Sequence, residues 1–315
     1  MRRVALATAD EESPKHLTGP HHPERPERVE LILAHLRRCG LLEQLIPIQA
    51  QPAGPEWIEL VHEPAYIRRV EQTCLRSEPV IDSMDTEISP GSYGAALHAA
   101  GAALKLCDAV VSGKASAGFA AMRPPGHHAE HALAMGFCLF NNAAIAARYL
   151  QKRHGLRRIL IVDWDVHHGN GSQHAFEEDA DVFYFSTHQY PHYPGTGAAS
   201  EKGEGAGVGA TLNVPMRAGS GDAEYRRAFE QVLLPAALAF RPEAVLVSAG
   251  FDAHRDDPLG EIQLTEGMYG EMTRIVRRIA EESSAVGVIS LLEGGYHPVA
   301  MPLSVESHLR ALLQD

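Results

Sequence analysis

Residues 157–171 read RRILIVDWDVHHGNG. Four aliphatic residues, Ile159–Val162, follow two arginines and run into a polar, glycine-containing turn. An apolar run without alternation is the pattern of a parallel strand covered on both faces. Asp163, Asp165 and His167 stand two apart at its end. On an extended segment alternate side chains share a face, so these three point the same way. Two aspartates at the end of a buried strand need partners. A metal ion chelated by carboxylate and imidazole supplies one.

Working outward, further strands are expected at RRVALATA (2–9), SAGFAAM (116–122), DVFYFSTH (181–188), AVLVSAGFD (244–252) and AVGVISLLE (285–293). Helical patterns fill the intervals at 26–39, 91–112, 141–154, 222–240 and 264–282. In the first of these, Val29, Ile32, Leu33 and Leu36 share a face, with Pro26 near its start and Gly40 as its stop. Strand and helix alternate, which predicts an α/β fold with an open, mostly parallel sheet and helices on both faces. No composition shift marks a linker, so a single domain over 1–315 is expected, with GEGAGVGA (203–210) as a loop. The 315 residues carry a net charge of −12, which argues against direct nucleic-acid binding through phosphates. No apolar run is read as reaching the roughly 18 residues of a membrane span. Four scattered cysteines (Cys39, Cys74, Cys107, Cys138) suggest reduced thiols.

Open α/β sheets bind ligands outside the carboxyl ends of their strands. Those positions hold RPPGHH, DWDVHHGNG, STHQYPHYPGTG, AGFDAH and EGGYHP. Asp252, at another strand end, offers a third donor beside Asp165 and His167. An Asp-His-Asp set leaves a coordination position open, as catalytic zinc sites do, and its oxygen donors also suit Fe²⁺ or Mn²⁺. His127 and His128 can take and give a proton beside a metal-bound water. Gly294 and Gly295 permit close backbone approach to a ligand. Tyr296 carries a hydroxyl that can face a developing oxyanion.

These blocks, with GFCLFNNAAIAARYL and HHPERPERV, resemble in order the signature segments of the histone deacetylase family over roughly residues 16–300. The resemblance implies an arginase-like fold, a catalytic zinc and hydrolysis of N-acetyl amides. It makes Asp165, His167 and Asp252 the zinc ligands. His128 becomes the general base and His127 its electrostatic partner, with Asp163 behind His127 and Asn170 behind His128. Asn at that last position is the pattern of the second class of the family. Tyr296 matches the oxyanion tyrosine. Asp163, Asp165, His167, Ser186 and Thr187 match a structural potassium site, several through backbone carbonyls. Gly136, Phe137 and Tyr193 match the walls of a narrow tunnel, Asp85 a rim residue that accepts from substrate amides, and Gly294 is expected to meet substrate as well. Leu259 stands where polyamine-specific members carry an acidic gatekeeper.

The expected activity is removal of acetyl or other acyl groups from the ε-amine of lysine in proteins or peptides. N-acetylpolyamines or other small amides are the alternative. A non-catalytic binder of acetylated ligands is a second, against which the retained Tyr296 and paired histidines argue. An arginase-like ureohydrolase would need a two-metal DxHxD pattern in place of DWDVHH. The expected location is cytoplasmic, with no membrane partner. Segments 78–92 and 189–209 are candidate rim or interface surface, and the oligomeric state is left open.

Overall fold

Eight parallel strands form one sheet in the computed structural model, which describes residues 2–9 and 11–314. Met1, Asp10 and Asp315, inside the expected 1–315 domain, lie outside the described residues. The strands are β1 (Val4–Thr8), β2 (Ile46–Gln49), β5 (Ala117–Ala120), β6 (Ile159–Asp163), β7 (Val182–Gln189), β8 (Thr211–Met216), β9 (Ala244–Ala249) and β10 (Val288–Leu292). A separate antiparallel hairpin pairs β3 (Val80–Ile81) with β4 (Ser83–Glu87). The sheet order is β2-β1-β5-β10-β9-β6-β7-β8. The five strands whose ends carry the His, Asp and Tyr clusters are therefore consecutive across the middle of the sheet.

The strand-forming logic is visible in β6. Ile159 and Ile161 enter the core on one side of the sheet, Leu160 and Val162 the core on the other. One layer is built from α3 (Pro64–Leu75), α4 (Ser92–Val111) and α5 (Asn142–His154). The other is built from α1 (Glu27–Arg38), α9 (Glu266–Glu282) and α10 (Ala300–Leu313). In α5 the Asn141 side chain accepts from Ala144 N, and Gly155 (φ 70°) closes the helix in the left-handed region.

The structure corrects several sequence expectations. Six strands were expected; the β3–β4 hairpin was not among them, and the sheet itself has eight. The two extra, β2 (IPIQ) and β8 (TLNVPM), are the edges, and each carries a proline that a central strand would reject. The expected helix over 222–240 is interrupted. A π-helical turn, Ala228–Leu233, separates α7 (Asp222–Arg227) from α8 (Leu234–Phe240), where Pro235 removes a ladder donor. The short α2 (Pro55–Ile58), α3 and the helix α6 (Asn170–Phe176) were not expected, and no bounds were expected for α10, although His308 was expected to lie in a helical pattern. Finally, among the described residues one helix is long and apolar enough to cross a membrane by length and composition: α4, against the expectation that no run reaches that length. Two-thirds of its apolar window (67%) is buried inside the protein, between α5 and the sheet.

Candidate active site

Asp165 and His167 follow β6, and Asp252 follows β9, its neighbour in the sheet. Sheet adjacency brings one donor atom from each within 4.8 Å of the others. His167 Nδ1 lies 3.0 Å from Asp165 Oδ1 and 3.3 Å from Asp252 Oδ2. Backbone amides aim the carboxylates. Asp252 Oδ1 accepts from Val166 N (2.8 Å), and Asp165 accepts from His167 N (2.9 Å) and Gly294 N (2.8 Å). Asp252 Oδ2 is buried and makes no hydrogen bond. Burial, and then the Asp165 charge, pushes the Asp252 carboxyl up to about 7. An orphaned carboxylate oxygen between a second carboxylate and an imidazole fits a divalent cation. Two glycines leave the necessary room. A Cβ on Gly294 would lie 1.9 Å from Asp252 Oδ2, and one on Gly250 would lie 2.2 Å from Asp165 Oδ2.

The two adjacent histidines stand beside these donors with different partners. His127 Nδ1 lies 3.0 Å from Asp163 Oδ2, a carboxylate oxygen that also accepts from the Tyr184 hydroxyl (3.1 Å). His128 Nδ1 lies 2.7 Å from Asn170 Oδ1. The ring centroids are 4.0 Å apart. Burial alone would lower both. For His127 the charges of Asp163, Asp165 and Glu293 outweigh it and push the imidazole up to about 10. Burial and then the neighbouring His127 and His167 rings, with only a neutral amide behind it, drive His128 well below its ordinary value. The two rings are thus pushed in opposite directions, His127 toward its charged form and His128 toward its neutral form.

Both rings face a cavity of about 110 Å³. All six residues expected from the sequence to meet substrate line it: Asp85, Gly136, Phe137, Tyr193, Leu259 and Gly294. Tyr296, His167 and Pro125 complete the wall with the two histidines. Phe137 stands edge-on to Tyr296 (6.0 Å), and Tyr193 edge-on to His128 (5.2 Å). Gly136 adopts φ 55°, and a Cβ there would meet His128 Cδ2 at 2.3 Å. Ser186 and Thr187 are fully buried, and Ser186 pairs in register with Asp163. His188 Nε2 lies 2.9 Å from the Gly197 carbonyl and must donate to it, so Nδ1 accepts from the Ser186 hydroxyl (2.8 Å). Thr187 Oγ1 is buried and makes no hydrogen bond.

Sequence reasoning missed several supports. Glu293, the last polar residue of the LLEGGY strand end, is fully buried; its Oε2 accepts from Gly126 N (2.7 Å) and His127 N (3.2 Å). Asp257 accepts from Tyr296 N (2.7 Å) and His297 N (3.2 Å). Arg28 lies 4.8 Å over the Tyr296 ring and donates to the Gly295 carbonyl (2.7 Å). His192 stacks on His167 at 5.2 Å and donates to the Leu259 carbonyl (3.0 Å). An acid closing a buried strand was the one available signal, for Glu293. A second cluster of metal-ligating side chains, His35, Cys39 and Glu306, joins α1 to α10, where Arg38 and Arg310 already pair with His35 and Glu306.

A buried donor set of this kind at the carboxyl ends of an open parallel sheet is characteristic of metal-dependent hydrolases. Sequence comparison narrows the class. The histone deacetylase domain matches residues 22–312, and the chain belongs to the histone deacetylase family, hydrolases of amide bonds that depend on a metal. It is 42% identical over 310 residues to "Histone deacetylase 10, chloroplastic" of Oryza sativa subsp. japonica, covering 93% of this chain and 70% of that protein. It is 42% identical over 303 residues to "Polyamine deacetylase HDAC10" of Homo sapiens, covering 93% of this chain and 45% of the human protein. The chain therefore spans less than half of that relative. The crystal structure of the HDA15 HD domain superposes with a TM-score of 0.94 at 39% identity, covering 99% of this chain and 88% of the other.

Proposed function

We propose that this chain, acting as one catalytic domain, removes acetyl or longer acyl groups from lysine ε-amines in proteins or peptides. The observation that carries the proposal is the meeting of Asp165, His167 and Asp252 with His128 and Tyr296 at one narrow aromatic cavity. The three donors would hold zinc, and Fe²⁺ suits the same set. Bound there, the ion would polarise the acyl carbonyl and acidify a water molecule. Asp163, Asp165, His167, Ser186 and Thr187 would hold a structural potassium ion, several of them through backbone carbonyls; the register that sets Ser186 beside Asp163 supports that part.

The protein's own groups divide the remaining work. With Nδ1 donating to Asn170, His128 presents the Nε2 lone pair to the cavity and takes a proton from the attacking water. The same Nε2 then returns that proton to the departing amine nitrogen. His127, kept charged by Asp163, stabilises negative charge beside it. The Tyr296 hydroxyl donates to the oxyanion as it develops. Phe137 and Tyr193 sheathe the lysine stem, which gains roughly 0.8 kcal/mol per buried methylene. Asp85 offers a carboxylate at the mouth, and the uncharged Leu259 favours acyl-lysine over a polyamine carrying a second cation. The four free cysteines support a reducing, cytoplasmic location. Acetate release from an Nε-acetyl-lysine peptide, compared with N-acetylputrescine, tests the proposal. Faster turnover of the peptide is expected; faster turnover of the polyamine would transfer the proposal to the small amine.

A further inference from the structure

Asn170 Oδ1 faces His128 Nδ1 at 2.7 Å, and its Nδ2 faces the Glu130 carboxylate. Glu130 also takes the His174 ring, whose Nδ1 lies 2.8 and 3.0 Å from the two carboxylate oxygens. The Glu130 backbone is pinned at both ends: its N donates to the Leu133 carbonyl (3.0 Å), and its carbonyl accepts from His62 Nδ1 (2.9 Å). The carboxylate is therefore aimed from a fixed point.

The logic of donors and acceptors then runs one way. An ionised carboxylate only accepts, so the amide end that faces Glu130 must be the NH₂. The oxygen end must then face His128. An amide oxygen also only accepts, so His128 Nδ1 must carry a proton, and in the neutral ring the lone pair is then on Nε2. Where a carboxylate stands behind a histidine, as Asp163 does behind His127, either oxygen serves and no such orientation is needed. Asn170 has a wrong end; the His128 carbonyl, 3.4 Å from Nδ2, opposes it weakly, and the close Glu130 carboxylate is the charged acceptor that forbids it. We infer that Glu130 is a positioning residue that fixes the amide of Asn170 and thereby the tautomer of His128. A primary amide does not relay protons at neutral pH, so Glu130 acts by orientation and not as a proton path.

The inference rests on the deacetylase reading for its kinetic consequence, but the tautomer can be read without turnover. The test uses the metal-loaded Glu130→Ala, Glu130→Gln and Asn170→Asp proteins and the double variant Glu130→Ala/Asn170→Asp. In the wild type, ¹⁵N shifts of the His128 ring should show a protonated Nδ1. In Glu130→Ala they should move toward the other tautomer, and kcat should fall about 10- to 100-fold, the cost typical of removing a group that orients a functional ligand, with KM unchanged. Glu130→Gln, whose amide oxygen can still accept, should lose less. Adding Asn170→Asp to Glu130→Ala should restore kcat, because a carboxylate has no wrong end. Unchanged His128 shifts in Glu130→Ala, or a kcat loss that persists in the double variant, would overturn the inference. A wild type that deacetylates nothing would overturn the deacetylase reading, and the ring shifts would still decide the role of Glu130.

Discussion

Gly294→Ala is the sharpest perturbation of the proposed metal centre. It adds one methyl group and keeps the backbone N–H that donates to Asp165 Oδ2. Gly294 does not adopt a positive φ, so alanine meets no backbone strain there. The added Cβ would lie 1.9 Å from Asp252 Oδ2 and 2.7 Å from Asp165 Oδ2, where ordinary contact begins at 3.4 Å. Restoring contact requires about 3.4 − 1.9 = 1.5 Å of movement by the Asp252 oxygen or the loop. Metal–ligand distances tolerate only about 0.2 Å, so the donor set cannot absorb that shift. Disturbing the groups around a metal ligand costs roughly 10- to 100-fold in affinity, and moving a donor itself should reach at least the upper figure. Competition with a graded chelator, followed by metal analysis of the dialysed protein, measures the change, and circular dichroism checks that the fold persists. A folded Gly294→Ala protein that held zinc as tightly as the wild type would refute the assignment of Asp252 Oδ2 as a metal donor.

Other consequences follow from individual contacts. Tyr296→Phe should lower kcat by about 10²- to 10³-fold, the usual cost of one oxyanion donor, with zinc content unchanged; steady-state kinetics beside metal analysis decides it. Glu293→Leu leaves the buried Gly126 and His127 amides without an acceptor, at about 1–3 kcal/mol each, and urea unfolding should show the loss. Burial pushes the Glu24 carboxyl up, but Arg123 and His16 outweigh it and hold it well below its ordinary value of 4.5. A lowered folded pKa contributes stability above pH 4.5 that is lost as pH falls below it. The urea midpoint should therefore drop in acid, and Glu24→Gln should flatten that dependence.

The central architecture was legible because parallel strands buried on both faces leave a plain mark. ILIV before DWD, and AVLVSA before GFD, announced strands whose ends hold polar clusters. The edges were not legible. Ile46–Gln49 and Thr211–Met216 carry prolines and half-exposed alternation, and only tertiary pairing makes them strands. The donors Asp165 and His167 could be read from spacing, since they share one extended segment, and the third only from its place at another strand end. Asp257, Arg28 and His192 could not be read that way. They act by hydrogen bonds to backbone atoms or by ring stacking, across sequence separations that spacing does not encode. The orientation of Asn170 belongs with them, because a motif fixes the residue type while its neighbour Glu130 fixes which end of the amide is used.

The most direct test is acetate release from an Nε-acetyl-lysine peptide by the zinc-loaded protein, followed by NMR beside the Asp252→Ala variant. Stoichiometric acetate and free lysine from the wild type, with neither from the variant, is the expected result. A zinc-loaded wild type that releases no acetate, or an Asp252→Ala protein that releases it equally fast, would contradict the proposal.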